Sequence, residues 1–277
     1  MVGATASSPV SVQPLAEPIR PEYAPIATRA AAAAQVFVDD PGSPRLSPED
    51  VHHLSKVLRL RAGEEVIVGD GAGHWARTVW VDGATPLAPV LGASGPGGDG
   101  SVQFEAAPPP LLTVAFAPTK GERPEWVVQK LTELGVDRIV PLSTARSVIR
   151  WEGERGASAV ERLRRVSRES AGQCRRVWLP EVTEVMSFSQ LDELGPTGQV
   201  VLAQLSGQPP APTHLVVAVG PEGGWSDEEL GGGLPTVGFG LSVLRAETAA
   251  VTAGALMVSL RTGTVAPVGS GLRAPST

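Results

Sequence analysis

The chain has 277 residues, enough for two domains, of which 42% are hydrophobic, and its net charge is −6. Its single cysteine, Cys174, excludes an internal disulfide and a cysteine-rich zinc site and points to a reducing compartment. No apolar run approaches the roughly 18 residues of a membrane span, and residues 1–34, rich in Pro and Ala without a leader pattern, are expected to be a disordered extension of a cytoplasmic protein.

The charge is unevenly placed. Residues 116–178 carry 13 basic and 8 acidic side chains, whereas the rest of the chain carries 10 basic and 21 acidic. A basic band on an acidic chain fits a phosphate-facing surface, and it fits equally a solvated helix face of mixed charge.

The first folded unit begins at a strand signal over 35–38. Ser47 has the place of an N-cap, Pro48 that of the first helical residue, and Glu49 and Asp50 acidify the first turn. Val51, Leu54, Val57 and Leu58 form one apolar stripe along that helix, which residues 59–63 close. A strand over 65–68, a glycine turn over 69–73 and an alternating run over 74–81 predict a β-hairpin. A glycine-rich loop over 86–101 leads to a further strand at 102–105. Short strands around one helix predict a small β-barrel over 35–107, and Pro108, Pro109 and Pro110 a stiff linker to the next domain.

Residues 111–117 then read as a buried strand. Pro124 opens a helix over 125–134, Gly135 takes the left-handed stop position, and 138–142 is the next strand, the spacing of a βαβ unit. Ser158 and Glu161 have capping-box spacing before a basic helix over 162–171. Strands are expected at 177–179, 199–203 and 215–219, with Pro209, Pro210 and Pro212 in the loop before the last. Alternating strands and helices give the α/β class with a mostly parallel sheet over 108–265, and 266–277 is expected to be a flexible tail.

Two glycine loops follow buried strands near the end of this domain, the arrangement that forms a ligand crevice at the carboxyl ends of a parallel sheet. Gly220, Pro221, Glu222, Gly223 and Gly224 lead into Ser226 and Glu229, which again have capping-box spacing. There is no Gly-Lys-Ser/Thr and no G-x-G-x-x-G, and Glu222, Asp227, Glu228 and Glu229 would repel phosphate. A cationic or zwitterionic ligand with an apolar and a ribose part fits better. In the second loop Arg245 and Glu247 are flanked by apolar residues, where charges need partners. They pair with structural neighbours or they face a ligand.

These residues carry a resemblance. Val219-Gly-Pro-Glu-Gly-Gly224 with Val243-Leu-Arg-Ala-Glu-Thr-Ala249 resembles the RsmE family, the 16S ribosomal RNA (uracil-N3) methyltransferases of the SPOUT, or α/β trefoil-knot, class. Lys120-Gly-Glu-Arg123, Gln129-Lys-Leu-Thr-Glu-Leu-Gly-Val136, Pro141-Leu-Ser-Thr-Ala-Arg-Ser147 and Glu169-Ser-Ala-Gly-Gln-Cys-Arg-Arg176 are similar to that family's other motifs, in the same order. His53-Leu-Ser-Lys-Val-Leu-Arg-Leu60 and Gly69-Asp-Gly-Ala-Gly73 resemble its PUA-like RNA-binding barrel.

The resemblance implies a knotted methyltransferase domain, S-adenosyl-L-methionine as methyl donor, 16S rRNA of the small ribosomal subunit as substrate, and a homodimer with its active sites near the interface. It places the donor among Leu202, Ala203 and Leu205, Gly220 to Gly224, and Phe239, Gly240, Leu241, Val243 and Leu244, held by their backbone groups. No metal and no membrane is implied. Arg245 is expected to stabilise the negative charge that develops on uracil when N3 loses its proton, with Glu247 orienting it. Arg59, Lys120, Arg123 and Arg146 are candidate RNA contacts, with plain surface charge as the alternative. A related knot enzyme acting on a ribose hydroxyl or another base, and a non-catalytic RNA-binding assembly protein, are the competing readings.

Some side chains are expected to be structural. Lys130 and Glu133 have the spacing of a surface ion pair. His52, His53 and His74 are read as packing or RNA-rim residues, and Cys174 lies among arginines that could lower its pKa. The family commonly has a basic residue where Ser242 stands, and the helix after Trp225 is expected to be cut short by Gly231, Gly232, Gly233 and Pro235.

Overall fold

A computed structural model describes residues 24–81, 87–196 and 198–266. The amino-terminal unit runs α1 (Ala24–Ala31), β1 (Ala34–Phe37), α2 (Pro48–His52), β2 (Glu65–Gly69), β3 (His74–Trp80), β4 (Leu87–Pro89) and β5 (Gln103–Phe104). β1 pairs with β2 in parallel and β2 with β3 antiparallel; β4 and β5 then share the far edge of β3, at Thr78–Trp80 and His74–Trp75 respectively. Val36, Leu54, Val66, Val68, Ala76 and Trp80 form its core.

Three expectations change here. The extension expected to be disordered through residue 34 is α1 and the start of β1 from Ala24 onward, because Arg29 docks it: the guanidinium is buried over Trp75 and bonds Glu105 and the Arg175 carbonyl. Residues 1–23 and 267–277 lie outside the described residues. The loop expected over 86–101 contains β4, which completes the edge of β3. The apolar stripe on α2 holds at Leu54 and Val51 but not beyond them. The helix passes into a π-turn (His53–Val57) closed by Leu58 N–H to the His53 carbonyl at 2.9 Å. That wider turn rotates later residues off the buried face, so Val57 and Leu58 are exposed. Ser47 caps α2 as expected, accepting from Asp50 N–H at 3.0 Å.

The second unit runs β6 (Thr113–Phe116), α3 (Arg123–Leu134), β7 (Arg138–Ser143), α4 (Gly153–Gln173), β8 (Glu181–Val182), β9 (Met186–Ser187), a 3-10 helix (Phe188–Leu194), β10 (Val200–Gln208), β11 (Val216–Val219), α5 (Asp227–Gly231), β12 (Thr236–Val237) and α6 (Ala246–Arg261). Its sheet is parallel throughout, in the order β12-β10-β11-β6-β7-β8, with β9 added to β7. β6 and β11 are buried along their whole length, as central strands of a sheet covered on both faces must be. One layer holds Leu131, Leu163, Val217, Ala253 and Met257; the other holds Leu142, Leu191, Leu202 and Trp225. α6 comes so close to α3 that a Cβ on Gly254 would stand 2.6 Å from Leu131 Cδ2.

The strand expected at 177–179 is not formed; Trp178 makes a single bridge to Ala72 in the amino-terminal unit instead. Ser158 does not cap a helix. α4 starts five residues earlier, so Ser158 lies inside it, and Glu161 pairs with Arg164. β8, β9 and β12 are two-residue strands, too short to leave a period in the sequence.

Much of the basic band is used internally. Arg168 and Arg175 donate to the carbonyls of Phe37 and Ala32, and the Arg176 carbonyl accepts from Gln35, so three arginines along the end of α4 and its exit tie the two units together. The Arg176 guanidinium meanwhile bonds Val136 O at 2.7 Å and Asp137. Asp137 is a hub: its carboxylate also accepts from Leu112 N–H and from Arg261 at the end of α6. Cys174 departs from expectation, since burial pushes its thiol up and the neighbouring Arg176 only partly opposes this. Lys130 and Glu133 form the expected surface pair at 2.8 Å.

Candidate active site

The two glycine loops follow β11 and β12, the parallel strands on either side of β10, and the second leads directly into the first turn of α6. After β11, Gly224 N–H bonds the Pro221 carbonyl at 2.8 Å and the chain turns down into Trp225, which is buried. The Trp225 indole N–H donates to the Ala203 carbonyl at 2.9 Å, fastening the β11 loop to β10. A Cβ on Gly220 would stand 3.1 Å from that indole, so any side chain there would press on the ring.

The capping box at Ser226 is complete. Glu229 N–H bonds Ser226 Oγ at 3.1 Å, and Ser226 N–H bonds Glu229 Oε2 at 2.7 Å. Glu229 is buried, and its other oxygen accepts from Ala145 N–H at 2.8 Å, which fixes the loop after β7 to the same helix start. Arg146, from that loop, donates to the Gly223 carbonyl at 3.1 Å. α5 has only five residues, as the run of glycines and Pro235 led one to expect.

β10 and β12 shift register between Ala203 and Gln208, so the intervening segment bows out of the sheet and leaves Leu205 exposed. The next loop, from Phe239 to Leu244, is open in a different way. None of its backbone N–H or C=O groups has a hydrogen-bond partner among the described residues, and Leu241 and Val243 are fully or almost fully exposed. A run of unpaired backbone donors and acceptors beside a glycine turn is suited to bind the edges of a heterocycle and a ribose.

Acidic and basic groups from three elements converge here. The Arg123 guanidinium, at the start of α3, lies 3.6 Å from Glu222 Oε1 in the β11 loop and 3.6 Å from Glu247 Oε1 in the first turn of α6. The second oxygen of Glu247 is buried and has no hydrogen-bond partner among the described residues. Arg245 is the N-cap residue of α6, exposed, with no ion pair or side-chain hydrogen bond among the described residues. The expected Arg245–Glu247 pairing is therefore absent, because residues on either side of a helix start diverge: Arg245 is still extended (φ −66°, ψ 153°) while Glu247 already points from the helix toward α3.

The structure brings together Ala203, Gly220, Pro221, Glu222, Gly223, Gly224, Arg123, Arg146 and Glu247. Leu202 contributes differently from the loops: its side chain is in the core and its N–H is taken by the Pro235 carbonyl. Arg123 and Arg146 hold loops through acidic and carbonyl partners, whereas Lys120 and Arg59 are exposed without an ion pair among the described residues. The sequence reasoning missed Trp225 as the support of the β11 loop and Glu229 as its tie to β7. The capping-box spacing was the available signal for Glu229; nothing local marks Trp225.

A cavity of about 750 Å³ lies elsewhere, between α4 and β8, and its Arg164 and Arg168 are already bonded to protein groups. Among the described residues no group of three or more His, Cys, Asp or Glu could hold a metal ion, and no helix is long and apolar enough to cross a membrane.

Comparison with known proteins finds a match in each unit. Residues 107–258 match the RNA methyltransferase domain family and residues 46–79 the RNA methyltransferase PUA domain. The chain is 32% identical to the ribosomal RNA small subunit methyltransferase E of Synechocystis sp., over 75% of this chain and 70% of that one. It is 32% identical to the protein of the same name from Mycobacterium bovis, over 73% and 80%. Among solved structures, a Legionella pneumophila methyltransferase in complex with bound SAM aligns with TM-score 0.66 and 28% identity, over 80% of this chain and 96% of that one. The fold is the SPOUT α/β class with a PUA-type unit before it. The chain belongs to the ribosomal RNA small subunit methyltransferase E family of RNA methyltransferases.

Proposed function

We propose that the chain transfers a methyl group from S-adenosyl-L-methionine to N3 of a uridine in 16S rRNA of the small ribosomal subunit. The observation that carries this reading is that Glu222 of the Gly220 to Gly224 loop and Glu247 of the first turn of α6 converge on Arg123 at the carboxyl end of β11, with the unbonded Phe239 to Leu244 backbone leading into that same helix start. Backbone groups of Phe239, Gly240, Leu241, Val243 and Leu244 would hold adenine and ribose. Carboxylates at Glu222 and Glu247 suit a cationic ligand and not a phosphate. When bound, the donor supplies a methyl group already activated by its positive sulfur.

The chain's own residues then have defined tasks. Arg245, unpaired at the mouth, stabilises the charge that develops on the uracil oxygens as N3 loses its proton. Glu247 acts with Arg123 to fix the start of α6 and keeps its second oxygen for a ligand. Arg59 and Lys120 supply phosphate contacts, and Arg123 and Arg146 shape the loops that receive the base. Residues 35–107 serve as the RNA-presenting unit and 108–265 as the transfer unit.

The working form is a cytoplasmic homodimer. Leu205, Leu241 and Val243 expose apolar side chains on the loops of the crevice, and the partner protomer would cover them. Nucleoside mass spectrometry of small subunits from a strain lacking such an enzyme, after incubation with this protein and S-adenosyl-L-methionine, tests the reading. N3-methyluridine is the expected product. A methyl group on ribose or on another base, or none at all, rejects it.

A further inference from the structure

The amino-terminal unit carries an aromatic ledge that the transfer reaction does not use. Phe104 on β5 is 59% exposed, although burial of a phenyl ring is strongly favourable, and among the described residues Trp126 is the other exposed large aromatic. Cross-strand from it, His74 on β3 is also exposed, with ring centroids 4.8 Å apart. On the other side Trp178, from the methyltransferase unit, meets Phe104 edge-on at 6.5 Å. Three rings thus line one surface where the two units join.

This ledge is held rigid from below. The Trp178 indole N–H donates to the Glu105 carbonyl at 2.8 Å, and a Cβ on Gly73 would stand 2.7 Å from the same indole, so the hairpin turn rests directly on the ring. Glu105 is anchored in turn by the buried Arg29. His74 Nδ1 lies 2.7 Å from Asp70 Oδ2, and since a carboxylate only accepts, Nδ1 carries the proton. In the neutral ring that leaves Nε2 as an acceptor, with no partner among the described residues.

We infer that Phe104 and His74 form a stacking site for one unpaired base of the RNA substrate, with His74 Nε2 accepting a hydrogen bond from the nucleotide's 2′-hydroxyl or an exocyclic amine. This rests on the RNA-methyltransferase reading. An unpaired base supplies the two chemistries the ledge offers, a flat π-face for Phe104 and a polar edge for His74, and single-stranded RNA is recognised through that combination. The hairpin that carries Asp70 and His74 lies within the segment matching the RNA methyltransferase PUA domain. Both side chains are exposed, so neither is needed for the core.

The test uses the full chain and a short single-stranded RNA of mixed sequence with a central 2-aminopurine, whose fluorescence is quenched on stacking. The wild-type protein is expected to bind and quench, Phe104→Leu to weaken binding roughly 5- to 100-fold and abolish quenching, and Phe104→Trp to restore both. His74→Ala is expected to reduce the preference for RNA over the DNA of the same sequence. Wild-type binding and quenching in Phe104→Leu overturns the assignment. Methyl transfer to small subunits is measured on the same preparations. Transfer with no effect of Phe104→Leu on binding or quenching rejects the ledge alone. Phe104-dependent quenching without transfer by the wild type rejects the enzyme reading and leaves the ledge standing.

Discussion

Arg123 lies at 3.6 Å from both Glu247 and Glu222, so one guanidinium links the start of α3, the loop after β11 and the first turn of α6. Both contacts are at ion-pair rather than hydrogen-bond range, and Arg123 is nearly half exposed, so the link contributes little to stability, under about 1 kcal/mol. Its consequence is positional. Arg123→Ala is expected to leave the melting temperature almost unchanged while lowering kcat/KM for methyl transfer at least about tenfold. Unchanged kinetics would show that the three segments hold their places without it.

Arg245 has no ion pair or side-chain hydrogen bond among the described residues and stands at the start of α6 beside the same crevice. Arg245→Ala should retain donor binding by calorimetry and lose transfer by about 10²- to 10³-fold, the range for a single group that stabilises developing charge. Near-normal turnover would remove it from the mechanism.

Asp137 is surrounded by two largely buried guanidinium groups, those of Arg176 and Arg261. Burial holds the Arg176 guanidinium below its ordinary value, and Asp137 is the counter-charge that opposes this. Asp137→Ala would strand both cations and also free the Leu112 N–H. The expected loss is about 3–5 kcal/mol, read as a lower urea midpoint with an unchanged slope. A loss below about 1 kcal/mol would mean that water reaches the arginines.

Gly254 is the point of closest approach between α6 and α3, with Leu131 Cδ2 where a Cβ would be. On an exposed helix, Gly→Ala stabilises by up to about 1 kcal/mol through propensity. Here the overlap wins, and Gly254→Ala should destabilise by about 1–3 kcal/mol, checked by thermal unfolding. A higher melting temperature would show that Leu131 can move aside freely.

His214 precedes β11, and burial lowers its pKa from the ordinary 6.5. Its Nδ1 accepts from Ala211 N–H at 3.2 Å, which requires the neutral ring. A His with a depressed folded pKa contributes stability that is complete above 6.5 and is lost as pH falls through the folded value. Denaturant midpoints between neutral and mildly acidic pH should therefore fall more steeply in the wild type than in His214→Asn. Parallel slopes would assign the acid sensitivity to other groups.

The order of strands and helices was legible in the sequence wherever a signal is local. Ser47 and Ser226 declare helix starts through hydrogen bonds that span three residues, Gly135 ends α3 in the left-handed conformation (φ 98°), and the apolar runs of β6 and β11 announce strands buried on both faces. Motif by motif, the family could be recognised, and with it the glycine loops. What a single strand of sequence could not reveal was which charges meet. Ser158 and Glu161 have the spacing of a cap yet lie inside a longer helix, because packing against α3 and β1 outweighs local capping energy. Arg245 and Glu247 are two residues apart, but a helix begins between them and turns Glu247 to Arg123, more than a hundred positions away in the chain. The glycine loop and the arginine at its mouth belong to the sequence; the partner of Glu247, the indole under Gly220 and the pairing of Phe104 with His74 exist only once distant segments are brought within a few ångströms by the fold.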